Sequence, residues 1–387
     1  MNVYLDNAAA TPLSASMKGY LSSLLDLCGN PSSLHSAGAK TAKIVSEARC
    51  LAAEFIHADP DDIFFTPSGS AANTLAIKGI TSENPPVNKF KVFCTPTSHK
   101  SMLEACASCP DHELLHVTPE GAADLSHLEY RLARHDKYHK DVNPLVCIEA
   151  ANSEIGTIND IPAIGSLVHR YRGILAVDAT GYIPSLPISV KAWKDHVDIL
   201  TFSGHKLRAL KGCGVLWKQK NITLRPLIYG SQERGLVGGT ENVLAIASLG
   251  KALRDYSYAS ISSAGRDHVY GHIMKYIPDS YPVGAPVESA RRLPCNLYMC
   301  FRGVEGESLM ILLDLNGIQV STGSACISKS LSPSAALFAI GMKKEDIHSC
   351  IRFSFSGAET KEELEYICEV LTRCVASLRS PGVLIPK

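Results

Sequence analysis

The chain has 387 residues, 45% of them hydrophobic, so it can bury a substantial core and is long enough for two domains. Its 38 basic and 38 acidic residues balance, which argues against a general nucleic-acid surface. The sequence shows no signal peptide and no long apolar stretch, so we expect a cytoplasmic protein without a membrane span. The 13 cysteines are scattered, and Cys106 and Cys109 form a CxxC without a second pair, so no metal site is predicted.

Apolar segments alternate with helical patterns through the first two thirds of the chain. Segments without polar alternation predict buried strands at 62–66, 91–94, 144–148, 173–178, 197–201 and 212–217. Helical periodicity follows several of them, at 71–80, 100–106 and 161–171. Strands of this kind, separated by helices, predict a mainly parallel sheet covered on both faces.

The pattern changes after about residue 250. We predict a long helix and then a mixture of shorter elements, namely a helix at 244–275, a strand at 296–301, a helix at 307–315, a strand at 349–355 and a helix at 360–378. This set is typical of a smaller α+β domain.

Two strand ends carry residues that suit pyridoxal phosphate (PLP). Asp178 closes one predicted strand, where its carboxylate could pair with a protonated pyridine nitrogen, although such an Asp is more often a cap or turn residue. Lys206 follows the next strand after Ser203 and His205, and could form an imine, although a lone lysine is usually a surface charge. The two residues together, at the carboxyl ends of successive strands, favour the PLP interpretation.

Other candidate residues lie at neighbouring strand ends and in a late loop. Ser68, Gly69 and Ser70 open a helix, where they could bind a phosphate or simply cap the helix. His99 follows another strand and could stack on a cofactor ring, transfer protons or be structural. Cys326 lies in a Ser- and Gly-rich loop at 320–330, where it could be a nucleophile or an ordinary free thiol.

With these residues assembled, the chain resembles the cysteine desulfurases. The similarity runs nearly end to end, through residues 4–12, 29–35, 75–79, 153–156, 177–180, 203–206, 233–235, 239–240, 304–309, 323–326 and 351–354. The combination of SGHK at 203–206, GSAC at 323–326 and VEGESL at 304–309 is highly specific. The loop around Cys326 resembles the longer form found in desulfurases of the iron–sulfur-cluster and nitrogenase type.

The resemblance implies an α/β protein of PLP fold-type I, like aspartate aminotransferase. We expect a large PLP-binding domain at 13–250 with a mainly parallel seven-stranded sheet. A small α+β domain is expected from 1–12 together with 251–387. The resemblance also implies a homodimer.

The resemblance further implies roles around the cofactor. Lys206 is expected to hold PLP as a Schiff base and to move protons, Asp178 to pair with the pyridine nitrogen, and His99 to stack on the ring. The phosphate is expected to be held by a set of small and polar residues, namely Gly69, Ser70, Ser203 and His205, with Thr240 reaching it from the second subunit.

On the substrate side, Arg352 is expected to receive the carboxylate of L-cysteine, with Ser153 nearby. Cys326 is expected to attack the substrate sulfur, which leaves L-alanine and a persulfide on Cys326. The persulfide sulfur would then pass to an acceptor protein in iron–sulfur-cluster or thio-cofactor assembly.

Several positions depart from the family pattern. Ser153 replaces an asparagine, Gly181 replaces a glutamine expected to bond the PLP phenolate oxygen, and Val237 stands where an arginine is common. The stretch 207–210 replaces a usual tyrosine-glycine-proline. Two alternatives therefore stay open: a selenocysteine lyase or cysteine-sulfinate desulfinase, and a cofactor-poor paralogue that acts as a binding or scaffold protein.

Overall fold

The computed structural model of the chain describes residues 1–81, 89–322 and 334–380. The strands within these ranges are β1 (Val3–Tyr4), β2 (Ile63–Thr66), β3 (Lys89–Cys94), β4 (His112–Leu114), β5 (Val142–Glu149), β6 (Ile174–Asp178), β7 (Ile199–Ser203), β8 (Gly214–Lys218), β9 (Ser280–Pro282), β10 (Asn296–Phe301), β11 (Ile318–Gln319) and β12 (Cys350–Ser354). The α-helices are α1 (Ala15–Ser22), α2 (Ser36–Phe55), α3 (Gly69–Thr81), α4 (Lys100–Ala107), α5 (Leu125–Tyr138), α6 (Ile161–Arg170), α7 (Val243–Asp255), α8 (Ala264–Tyr276), α9 (Gly306–Leu315), α10 (Ala335–Ala339), α11 (Lys344–Ile347) and α12 (Lys361–Arg379).

A seven-stranded sheet forms the centre of the larger body, in the order β2-β8-β7-β6-β5-β3-β4. Only β8 runs antiparallel to its neighbours in this sheet. Its central strands β6 and β7 are mainly apolar and largely buried, as expected for a parallel sheet covered by helices. The mainly parallel α/β sheet predicted from the sequence is therefore confirmed.

Local sequence signals set the boundaries of several helices. Asp160 caps α6 through the backbone N–H of Ala163, with a proline in the first turn. Thr360 and Glu363 form a reciprocal capping box at the start of α12. These caps satisfy backbone donors that a helix start leaves without partners, so the helices begin close to the positions predicted from the sequence.

A second core lies around the antiparallel sheet β12-β10-β9. Helices α8, α9 and α12 pack on this sheet, and their apolar side chains form one cluster with it. Val3 and Leu5 from the chain start belong to the same cluster, because β1 pairs in parallel with β11. The first residues of the chain are thus packed with the last third.

One predicted element was wrong. The helix expected at 244–275 is two helices, since α7 ends at Asp255 and α8 begins at Ala264. Tyr256 adopts an extended backbone, and a short 3-10 turn at Tyr258–Ser260 separates the two helices. In the part of the chain that the structure describes, no helix is both long and apolar enough to cross a membrane.

Candidate active site

Lys206 lies in a cavity at the carboxyl end of the central sheet. Strand β7 ends at Ser203, and the chain turns at once into a short 3-10 helix, Gly204–Leu207. Lys206 then lines the cavity together with Ser153, Thr180 and Gly181. These residues follow neighbouring parallel strands, and this is why they meet at one edge of the sheet.

Asp178 is held in a buried hydrogen-bond network beside this cavity. Asn73 Nδ2 donates to Asp178 Oδ2 over 2.7 Å, and the backbone N–H of Thr180 donates to Oδ1 over 2.8 Å. Thr201 Oγ1 donates to Asn73 Oδ1 over 2.5 Å, which orients the Asn73 amide. The Asp178 carboxylate, only 4% exposed, therefore has a fixed position and two donors.

His99 is connected to the same network through Ser101. Asn73 Nδ2 also approaches Ser101 Oγ at 3.1 Å, and Ser101 Oγ lies 2.8 Å from His99 Nδ1. The backbone N–H of Ser101 donates to Nδ1 over 3.2 Å, so the neutral ring carries its proton on Nε2. Desolvation lowers the pKa of His99; the charge of Asp178 opposes this effect and that of Lys206 adds to it. We call Asp178, Asn73, Thr201, Ser101 and His99 the buried network, in which Asp178, Asn73 and Thr201 are buried and His99, at the end of the network, is exposed.

Glu149 supports His99 from the end of the next strand. It is the register partner of Asp178 across β5 and β6, and its side chain is buried. Its Oε1 accepts from the backbone N–H of His99 over 2.7 Å, and its Oε2 accepts from Asn152 Nδ2 over 3.0 Å. Burial raises the pKa of Glu149 to about 8, and the nearby charge of Asp178 adds to the effect.

Three of the predicted phosphate residues, Gly69, Ser203 and His205, lie close together. A Cβ placed on Gly69 would lie 3.0 Å from Ser203 Cβ, so this glycine permits the start of α3 to approach β7 closely. Ser203 Oγ lies 2.6 Å from His205 Nδ1, and burial together with Lys206 lowers the pKa of His205. Ser68 is the residue that caps α3, through the N–H of Ala71, while Ser70 is exposed.

Arg352 lies behind the cavity and already has partners. Its Nη2 donates to Asp6 Oδ1 over 2.7 Å, and its Nη1 donates to the carbonyl oxygen of Ser153 over 3.2 Å. The side chain is 5% exposed, and its buried Nε has no hydrogen-bond acceptor among the described residues. Arg352 therefore contacts Ser153 but does not itself line the cavity, and the role of both residues in substrate binding stays a prediction.

Gly181 leaves no room for the side chain that the family pattern has there. A Cβ at this position would lie 2.5 Å from the carbonyl oxygen of Ala151 and 3.4 Å from Ser153 Cβ. The backbone on either side of Ser153 thus occupies the space next to Gly181. The absence of a side chain at Gly181 therefore permits the close approach of the segment 151–153, which contains Ser153 in place of the usual asparagine.

Among the described residues, Lys206 and Ser153 are the predicted site residues that line the cavity, whereas Asp178, His99 and Arg352 do not. Thr240 is exposed and does not line it either, and its contact with the phosphate of a second subunit stays a prediction. Cys326 lies outside the described residues.

Sequence reasoning missed Asn73, Thr201 and Glu149. Their signal was a polar residue inside an otherwise apolar, buried element: Asn73 in α3, Thr201 in β7 and Glu149 at the end of β5. Among the described residues, no group of three or more His, Cys, Asp or Glu side chains could hold a metal ion.

Comparison with known proteins identifies the family of this chain. The family described as aminotransferase class-V matches residues 3–367. The chain belongs to the class-V aminotransferases. One relative of this class-V chain, named cysteine desulfurase IscS, from Dictyoglomus turgidum, is 37% identical over 98% of this chain and 95% of its own length. The predicted family and enzyme class are thereby confirmed.

Solved structures show the same fold. A NifS-like protein from Rickettsia africae has 29% identity and a TM-score of 0.86, and the match covers 97% of this chain and all of that chain. A protein described as SspA in complex with cysteine has 26% identity and a TM-score of 0.77, over 93% of this chain and all of its own. The predicted PLP fold-type I architecture is confirmed.

Class-V aminotransferases use PLP, and the residues of this chain fit that cofactor. A buried carboxylate with two donors suits a protonated ring nitrogen, and a lysine amine lies in the adjoining cavity. Backbone N–H groups at the start of α3, with Ser203 and His205 beside them, suit a phosphate. The donor set thus has one group of suitable chemistry for each polar end of PLP.

Proposed function

We propose that the chain is a PLP-dependent cysteine desulfurase that converts L-cysteine to L-alanine and transfers the sulfur to an acceptor protein. The observation that carries the proposal is that Lys206 lines a cavity at the strand ends and that its charge, like that of the buried Asp178 carboxylate, acts on His99. The identity of full-length relatives named cysteine desulfurase supports the choice of substrate. Bound PLP supplies an electron sink for carbon–sulfur bond cleavage.

The buried network fixes the groups around the ring. Asp178 would face the pyridine nitrogen, with Asn73 and Thr180 preventing rotation of its carboxylate. His99 presents a neutral imidazole whose Nε2 carries the proton, because Ser101 occupies Nδ1. His99 can therefore donate a proton from Nε2 and take it back, while Lys206 holds the cofactor and moves protons at Nζ.

On the substrate side, Arg352 and Ser153 would position the carboxylate of cysteine. Asp6 holds the Arg352 side chain in place, and the orphan Nε is a remaining donor in a dry environment. Cys326 would take the sulfur, so that L-cysteine and the Cys326 thiol become L-alanine and a Cys326 persulfide. This net reaction balances without an external oxidant or reductant.

The assembly and surroundings of the enzyme are also part of the proposal. Thr240, which is exposed, would reach the phosphate of the second subunit in a homodimer. Each of the twelve cysteines within the described ranges is a free thiol, which fits a reducing compartment such as the cytoplasm. The acceptor would be a cluster scaffold or sulfur carrier.

The proposal is tested by the products formed from L-cysteine with a thiol reductant. We expect equimolar L-alanine and sulfide from the wild-type protein, and a loss of at least roughly 100-fold in Cys326→Ser, because serine cannot accept sulfur. Cys28→Ser, which removes an exposed thiol, is the matched control and should keep full activity. Equal rates for Cys326→Ser and Cys28→Ser would contradict the assigned nucleophile.

The same assay separates the alternatives. If Cys326→Ser loses activity with L-cysteine but keeps it with selenocysteine or cysteine sulfinate, the lyase or desulfinase interpretation is correct. A protein that binds no PLP would instead support the scaffold interpretation.

A further inference from the structure

Arg208 is the second cation in the cavity that contains Lys206. It directly follows the 3-10 turn and lies on the cavity wall with Tyr256, Cys295 and Phe355. The described residues that line this cavity include no Asp or Glu. This part of the cavity wall therefore has two basic residues and no acidic one, and it should attract an anionic group.

The backbone at Arg208 is held in an unfavourable conformation. Its φ of 65° and ψ of 22° lie in the left-handed region, which glycine adopts readily and other residues rarely do. The N–H of Arg208 donates to Thr11 Oγ1 over 2.9 Å, which fixes the turn in place. The chain thus carries a long cationic side chain at a position where a glycine would fit more easily.

The charge of Arg208 is not neutralised by an ion pair within the described ranges, where no salt bridge to this residue occurs. Its charge does act on Tyr256, where it opposes the burial that raises the pKa of that phenol to about 12. Glu359, which contributes to the raised pKa of Cys295, directs its carboxylate to the backbone N–H groups of Ser356 and Gly357. Arg208 is also exposed, so its side chain is accessible to a ligand.

Arg352 differs from Arg208 in each of these respects. Arg352 is buried, paired with Asp6, and absent from the cavity wall. A carboxylate that reached only Arg352 would have to compete with Asp6 for the same guanidinium. Arg208 lines the cavity, and its guanidinium has no ion pair with any residue that the structure describes.

We propose that Arg208 is a specificity-determining residue that binds an anionic group of the amino-acid substrate, in addition to any contact made by Arg352. This inference rests on the proposed function for the identity of the substrate, but the anion site itself does not depend on sulfur chemistry. The anionic group is either the α-carboxylate or an acidic group on the side chain, such as a sulfinate. A carboxylate is planar and a sulfinate is pyramidal, but each presents two oxygen atoms that can accept from the N–H groups of one guanidinium.

The test uses the PLP-loaded protein and three sulfur-free probes, so that no turnover is needed. L-Alanine carries an α-carboxylate, ethylamine is the same molecule without it, and L-aspartate adds a side-chain anion. Dissociation constants are measured by calorimetry for the wild type, Arg208→Gly and Arg208→Lys. Lys211→Gln is the matched control, because it removes an exposed positive charge three residues away that does not line the cavity.

We expect Arg208→Gly to weaken the binding of the anionic probes roughly 10- to 100-fold and to leave ethylamine unchanged. Arg208→Lys should recover part of the loss, and Lys211→Gln should bind like the wild type. The Arg208→Gly variant should keep the midpoint temperature of thermal unfolding and the PLP content of the wild type, since glycine readily adopts the left-handed conformation. The readout is therefore not confounded by unfolding.

The pattern across probes identifies the anion. A loss for both L-alanine and L-aspartate assigns Arg208 to the α-carboxylate, whereas a loss for L-aspartate alone assigns it to a side-chain anion. Unchanged constants for both probes in Arg208→Gly, or no binding of either probe by the wild type, would overturn the proposal. The absence of alanine production from L-cysteine would count only against the desulfurase function.

Discussion

The buried network and the cavity are adjacent, but they are built in opposite ways. In the network, Asp178, Asn73 and His99 are connected through Ser101 by hydrogen bonds of 2.7 to 3.1 Å. In the cavity, Lys206 and Arg208 lie on a wall whose described residues include no Asp or Glu, and Gly181 and Ser153 replace larger polar side chains of the family pattern. The residues expected to face the cofactor ring are thus held in place before any ligand binds, whereas residues of the cavity wall differ from the family pattern.

The largest effect that we predict concerns the proton on Glu149. The pKa of Glu149 is raised from 4.5 to about 8 in the folded state, so the folded protein binds a proton more tightly than the unfolded one. Stability should therefore fall as pH rises between about 5 and 8, by up to about 1.4 kcal/mol per pH unit from this group. The free energy of unfolding in urea, measured at several pH values, gives the slope.

Glu149→Gln should flatten this slope, although not completely, because burial also raises the pKa of Glu154. The loss of one acceptor in the variant lowers stability at every pH and does not affect the slope. Glu104→Gln, at an exposed position of α4, is the control and should keep the wild-type slope. If Glu149→Gln and the wild type show the same slope, Glu149 is ionised throughout this pH range and its surroundings are hydrated.

A smaller effect is expected from Asn73, the centre of the buried network. Asn73→Ala leaves Asp178 Oδ2 and Thr201 Oγ1 with one partner fewer each, in a buried environment. We expect a loss of about 1–3 kcal/mol in the free energy of unfolding. Thr74→Ala, at the neighbouring half-buried position of α3, should cost less than about 1 kcal/mol. Equal costs for the two variants would show that the network does not hold Asp178.

Much of the fold was predictable because its signals are local. Apolar runs such as those of β6 and β7 identify buried parallel strands, and caps such as Thr360 define helix starts. The break between α7 and α8 was not predicted. The serines and tyrosines between the two helices do not interrupt the helical pattern of the sequence, although Tyr256 has an extended backbone. The domain limits at 12 and 250 stay a prediction, which the packing of Val3 with the last third supports.

The site was predicted in part, for a related physical reason. Lys206, Asp178 and His99 follow strands, so topology alone brings them to one edge of the sheet. Asn73 is distant in sequence and is recognised only when α3 packs against β7 and its amide meets Asp178. The exposure of Arg208 and the pairing of Arg352 with Asp6 depend on side-chain positions across two packed layers, which no local pattern encodes.

The most direct test of the account is to locate the lysine that holds PLP. The PLP-loaded protein is reduced with borohydride, digested, and mapped by mass spectrometry. We expect one pyridoxyl group per chain, on Lys206, and no labelled peptide from Lys206→Ala. A label on another lysine, or a wild-type protein that stays unlabelled after incubation with PLP, would contradict it.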